Sequence, residues 1–183
     1  MQAEFTPRKS DKHGQRPMAT AQSKLLQEAV TNWLDDQSVS FNVAVCLHLP
    51  NQFKAEYGAS ERTLQKALRR FFEKLDRKVL KSAHRRRKAK VPRFVILEHD
   101  DAVGWHMHAL LSSSNTGYST EQLSQIVKLL WLDEFARSTT NLSFEPYMAW
   151  AEPVQHGHAN YITKHVFTPK PKALFDDMNT AFG

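Results

Sequence analysis

Two histidines stand one residue apart in EHDDAVGWHMHALLS, residues 98–112, where the run would otherwise be apolar. Residues two apart in a strand share a face. His106 and His108 therefore project together, while Trp105, Met107 and Ala109 face the other way. Two imidazoles so placed suit a divalent metal. The stretches RFVILEH, 93–99, and WHMHALLS, 105–112, read as strands joined by the turn residues DDAVG, which predicts a hairpin. The return of that hairpin sets Glu98 across from residues 106–108 as the candidate third ligand. A slipped register would substitute His99 or Asp100. The face would carry two nitrogens and one carboxylate, leaving room for water and a phosphate oxygen. Spacing alone leaves open the plainer alternative of ordinary core or surface histidines.

A second cluster is HGHANYITKH, 156–165, read as part of a short helix over 156–166. Tyr161 and Lys164 are three apart and share a helix face, with Ala159 and Ile162 as packing positions. A phenol with a pKa of about 10 is a poor nucleophile at neutral pH. A nearby cation and a metal-polarised phosphate would lower the barrier to its attack. The competing reading is a tyrosine ring packed on a sheet beside a solvated lysine. His156, His158 and His165 lie in the same segment, with no role fixed by the pattern.

The remaining elements must position these residues. The 183-residue chain, 41% hydrophobic, suits one domain with its own core. Residues 1–20 read as a disordered basic arm. Residues 21–168 form the expected domain, and 169–183 a weakly patterned tail. Helical spacing runs from Gln22 to Asp36. The stretch 39–49 is β-branched and aromatic, and a loop containing Tyr57 and Gly58 follows it. Ser60 is a candidate N-cap for a long helix with a stripe of Leu64, Leu68, Phe71, Phe72, Leu75 and Val79. After the hairpin, Thr120 opens a helix with apolar positions at Leu123, Ile126, Val127, Leu130 and Trp131. Residues 142–152 read as a strand that Pro146 confines to an edge or a bulge. The order strand, helix, strand, strand, helix, strand predicts an α+β, ferredoxin-like βαββαβ antiparallel sheet with helices on one face.

Charge is unevenly spread. Between Lys66 and Arg93 there are 13 Lys or Arg against Glu73 and Asp76, a local net of +11, so the rest of the +6 chain carries −5. A basic stripe on an acidic body is the footprint of a polyanion binder, although a solvated helix face has the same pattern. The candidate phosphate-binding residues are Arg69, Arg70, Arg85, Arg86, Arg87, Lys88, Lys90 and Arg93. No apolar run approaches the ~20 residues of a membrane span, and the polar N-terminus lacks a signal core. The single cysteine, Cys46, builds no disulfide framework and fits a reducing cytoplasm as a small buried residue.

Together these residues resemble the HUH endonuclease superfamily, in particular the single-tyrosine rolling-circle replication initiators (Rep proteins). WHMHALL, 105–111, matches the family's histidine–hydrophobic–histidine motif, and YITK, 161–164, its Tyr-x-x-Lys motif. FNVAVCLHL, 41–49, sits where the family has its first strand motif. The resemblance spans about residues 39–166. It implies an HUH/Rep-type palm in which His106 and His108, with Glu98 as third ligand, hold Mg²⁺ or Mn²⁺. It implies that Tyr161 attacks the scissile phosphate of single-stranded DNA at an origin or nick site, aided by Lys164. The products would be a 5′-phosphotyrosine link and a free 3′-hydroxyl, which initiates replication of a plasmid or phage. With no Walker-type glycine-rich loop, unwinding falls to a host helicase. The alternatives are a relaxase or transposase with the same chemistry, or a non-catalytic nucleic-acid-binding module on the same scaffold. Base stacking on Trp105, Tyr147 or Trp150 is a further expectation, against their reading as core.

Overall fold

A computed structural model describes residues 16–36, 40–136, 148–154, 163 and 173–182. Helix α1 spans Arg16–Asp35, strand β1 Val43–His48, helix α2 Asn51–Tyr57, helix α3 Glu61–Leu80 and helix α4 Ser82–Arg87. The hairpin is β2, Arg93–Asp100, and β3, Gly104–Leu111. Then come α5, Thr120–Ala136, β4, Ala149–Pro153, and β5, Ala173–Phe175. The five strands form one antiparallel sheet in the order β4-β1-β3-β2-β5. Its first four strands with α3 and α5 are the βαββαβ arrangement, and β5 is added outside β2.

Alternation along the strands divides the core. Val43, Val45, Leu47, Val95, Leu97, Met107, Ala109 and Leu111 pack with Leu64, Leu68, Phe71 and Phe72 of α3 and with Leu123, Val127 and Trp131 of α5. On the other face, Ala44, Phe94, Ile96 and Leu110 pack with Leu34 of α1. The α3 stripe is buried as its spacing predicts, and the Ser60 hydroxyl caps the helix by accepting the Thr63 N–H at 3.2 Å.

Several boundaries differ from the sequence reading. Helix α1 begins at Arg16, within the stretch read as an arm. The loop read around Tyr57 is mostly helix α2, which buries Phe53 and starts after Pro50. Among its described side chains Phe53 is the one that is buried, so no periodicity marks it. The tail read as weakly patterned contributes strand β5, in which Ala173 pairs with Glu98 and Phe175 with Ile96. The expected strand over 142–152 is described only as β4, and Pro146 lies outside the described residues.

Candidate metal centre

The sheet register assembles the histidine cluster. His106 lies between His48 on β1 and Glu98 on β2, and His108 lies between Cys46 and Ile96. All of these side chains occupy the sheet face opposite α3 and α5 by strand alternation. Glu98 Oε2 is 3.3 Å from His108 Nε2 and 3.9 Å from His106 Nε2. The three residues offer ligand atoms within 4.8 Å of one another, and all three are buried. A buried carboxylate is costly unless charge or hydrogen bonds compensate it. Two imidazole nitrogens and one carboxylate make a donor set that fits a divalent cation.

The turn also orients a ligand. Gly104 has φ +74°, a left-handed conformation natural to glycine, and its carbonyl accepts a hydrogen bond from His106 Nδ1 at 3.0 Å. A carbonyl can only accept, so Nδ1 carries the proton and Nε2 keeps its lone pair toward Glu98. Burial holds His106 below the usual histidine pKa, against the opposing pull of the Gly104 bond. The neutral ring, the form that ligates, is thereby favoured. The alternative ligands fall elsewhere: His99 pairs with Trp105 in an edge-on ring contact at 5.2 Å, and Asp100 Oδ1 accepts the Ala102 N–H in the turn.

Cys46 and His48 belong to this face and were missed in the sequence. His48 stacks on His106 with ring centroids 4.7 Å apart and planes 9° from parallel. Its Nε2 is 3.2 Å from Cys46 Sγ. Burial, with His106, His108 and Lys54 adding to it, pushes the His48 pKa down to about 4. Burial and then Glu98 push the Cys46 thiol up to about 12. The available signal was period two: VAVCLH places Cys46 and His48 on one face, as WHMH does His106 and His108.

Tyr161 and Lys164 lie outside the described residues, as do His156, His158, His165 and Tyr147. Of the segment 156–166, only Thr163 is described, and it is helical and buried. Trp105 packs against the core under α3 and α5, and Trp150 against the smaller one.

The basic residues divide. Arg69, Arg85, Arg86, Arg87, Lys88 and Lys90 are exposed. Arg70 is half exposed and bonds Glu134 of α5 through Nε at 2.5 Å. Arg93 is a correction. It is buried, pairs with Asp76 at 2.7 Å, donates to the Asn179 carbonyl and lies over the Phe72 ring. Its cation is spent inside the protein and does not face a ligand. The exposed basic surface is also distant from the triad. Helix α3 covers the other sheet face, and the run through Lys90 enters β2 at Arg93, five residues before Glu98. Five strand residues span about 17 Å.

No family model matches the chain, and no curated protein does. Among solved structures it is similar to the N-terminal nuclease domain of minute virus of mice non-structural protein 1, at 13% identity, with 82% of this chain and 71% of that chain covered and a TM-score of 0.34. That domain is described with Zn²⁺ coordinated in its active-site pocket and with DNA recognition at the origin of replication. A likeness at that score assigns no family.

Proposed function

We propose that the protein is a metal-dependent nuclease of the HUH kind that nicks and rejoins single-stranded DNA. One observation carries this reading: Glu98, His106 and His108 converge within 4.8 Å on a single sheet face. Mg²⁺ or Mn²⁺ held there would draw charge from a non-bridging phosphate oxygen. The chain's own groups do the rest. Gly104 fixes the tautomer of His106, and Glu98 supplies the negative charge that attracts the cation. Tyr161 attacks phosphorus through its phenol oxygen, which loses its proton. The bond from phosphorus to the 3′-oxygen breaks, and that oxygen takes up a proton to become a 3′-hydroxyl. Lys164, three residues on, would sit near the developing charge or steer the phosphate. In this reading the exposed basic residues Arg69, Arg85, Arg86, Arg87, Lys88 and Lys90 grip phosphates, Arg70 through the part of its surface left open, and the reaction initiates rolling-circle replication with a host helicase. A relaxase or transposase would use the same steps.

The test is incubation of the full chain with labelled single-stranded DNA carrying candidate origins and Mn²⁺. A covalent protein–DNA adduct that vanishes in Tyr161→Phe is the expected result. Cleavage that persists in that variant would remove Tyr161 as nucleophile. The distance between the basic surface and the triad favours a second reading, a nucleic-acid-binding module without catalysis. Binding with no cleavage under any divalent metal would decide for it.

A further inference from the structure

We propose that His48 is a positioning residue, whose imidazole braces His106 in the orientation that presents Nε2 to a cation. The inference rests on the reading of Glu98, His106 and His108 as a cation site. His48 and His106 are direct cross-strand partners, and their rings lie nearly parallel at 4.7 Å. His106 is therefore restrained from three directions. One ring face rests on His48, Nδ1 is held by the Gly104 carbonyl, and Glu98 occupies the neighbouring strand. Nε2 is left facing the carboxylate, 3.9 Å from Glu98 Oε2.

His48 can act as a brace because it is itself fixed from both faces of the sheet. Its side chain meets Cys46 Sγ at 3.2 Å on the triad face. From the opposite face, the indole Nε1–H of buried Trp131 donates to the His48 carbonyl at 3.0 Å. His48 is the last residue of β1, where a strand would otherwise fray, and the bond from α5 holds it. A continuous path thus runs from the large core, through Trp131 and His48, to a ligand on the far side of the sheet. His48 does not belong to the group of donors lying within 4.8 Å of one another, which sets it beside the ligands as a support.

The test is titration of the full-length metal-free protein with Co²⁺, followed by visible absorption and by calorimetry. His48→Ala should weaken Co²⁺ binding roughly 10- to 100-fold, the usual effect of losing an outer partner of a metal ligand, and alter the cobalt bands. His48→Phe keeps a flat ring against His106 and should restore affinity to near the wild-type value. His48→Gln keeps a hydrogen-bonding group without a ring and should bind as weakly as the alanine variant; it serves as the test if alanine fails to fold. Wild-type affinity and spectrum in the alanine or glutamine variant would overturn the proposal. So would a phenylalanine variant as weak as glutamine, since the nitrogen and not the ring would then matter. If the folded wild-type protein takes up no Co²⁺, Mn²⁺ or Zn²⁺, the cation-site reading fails and this one fails with it. Wild-type uptake with unaltered variants sinks this one alone.

Discussion

His106 is the side chain on which the candidate centre turns, and Glu98 and His108 complete its donor set. His108→Ala removes a donor itself and should cost more cation affinity than the roughly 10- to 100-fold loss typical of an outer partner, as read by calorimetry. A ligand that binds only the folded state stabilises it by about 2.7 kcal/mol at 100 times its Kd. Glu98→Gln should therefore shrink the rise in thermal midpoint that Mn²⁺ brings to the wild-type protein, measured by scanning calorimetry with and without the ion. A pH effect follows from His48, whose pKa falls from an ordinary 6.5 to about 4 in the folded state. Between those values the unfolded chain takes up a proton that the folded protein refuses. The contribution of His48 to the stability of the metal-free protein is then full above pH 6.5 and declines as pH falls toward 4. His106 shifts in the same direction and adds to the loss. Denaturant midpoints measured in chelator across that range should fall with acid, and less steeply in His48→Phe.

At the scale of elements, the long amphipathic helix and the hairpin were legible because each repeats its signal. Helix α3 shows buried leucines and phenylalanines at helical spacing, and the hairpin shows two apolar runs around a turn. Glu98 was placed near the histidines by that turn, and the register resolves its partner as His106. Less legible was whatever depends on partners far apart in sequence. Arg93 looked like one more cation of a basic run, yet it lies at the first residue of a buried strand and meets Asp76 on α3. Helix α2 has seven residues and, among its described side chains, one buried anchor, too little for a period to register. Cys46 and His48 gain meaning only when β1 is set beside β3. The buried pair makes a further prediction. Asp76→Ala strands the Arg93 charge, removes the acceptor of the Val91 N–H, and should cost about 3–5 kcal/mol in urea unfolding. The double change Asp76→Leu with Arg93→Met should recover most of that loss. Ser60→Ala at the start of α3 should cost about 1 kcal/mol in the same measurement.

For the whole molecule, the proposed function assigns affinity to the basic surface and chemistry to the triad, which lie on different parts of the fold. Alanine at Arg85, Arg86 and Arg87 should lower single-stranded DNA affinity and flatten its dependence on salt, by about 0.7 in log–log slope for each phosphate no longer neutralised. Fluorescence anisotropy across a salt series reads both. His106→Ala with His108→Ala should leave that slope unchanged. The outer edge of the sheet carries a practical consequence. Strand β2, which bears Glu98, is covered on that side by Ala173–Phe175 and by the Arg93–Ala181 bridge. A chain shortened at residue 168, where the pattern of the sequence thins out, would bare a row of unsatisfied amide and carbonyl groups along that strand. Such a margin recruits strands from other molecules, so the trimmed protein should run as aggregates in gel filtration where the intact chain does not.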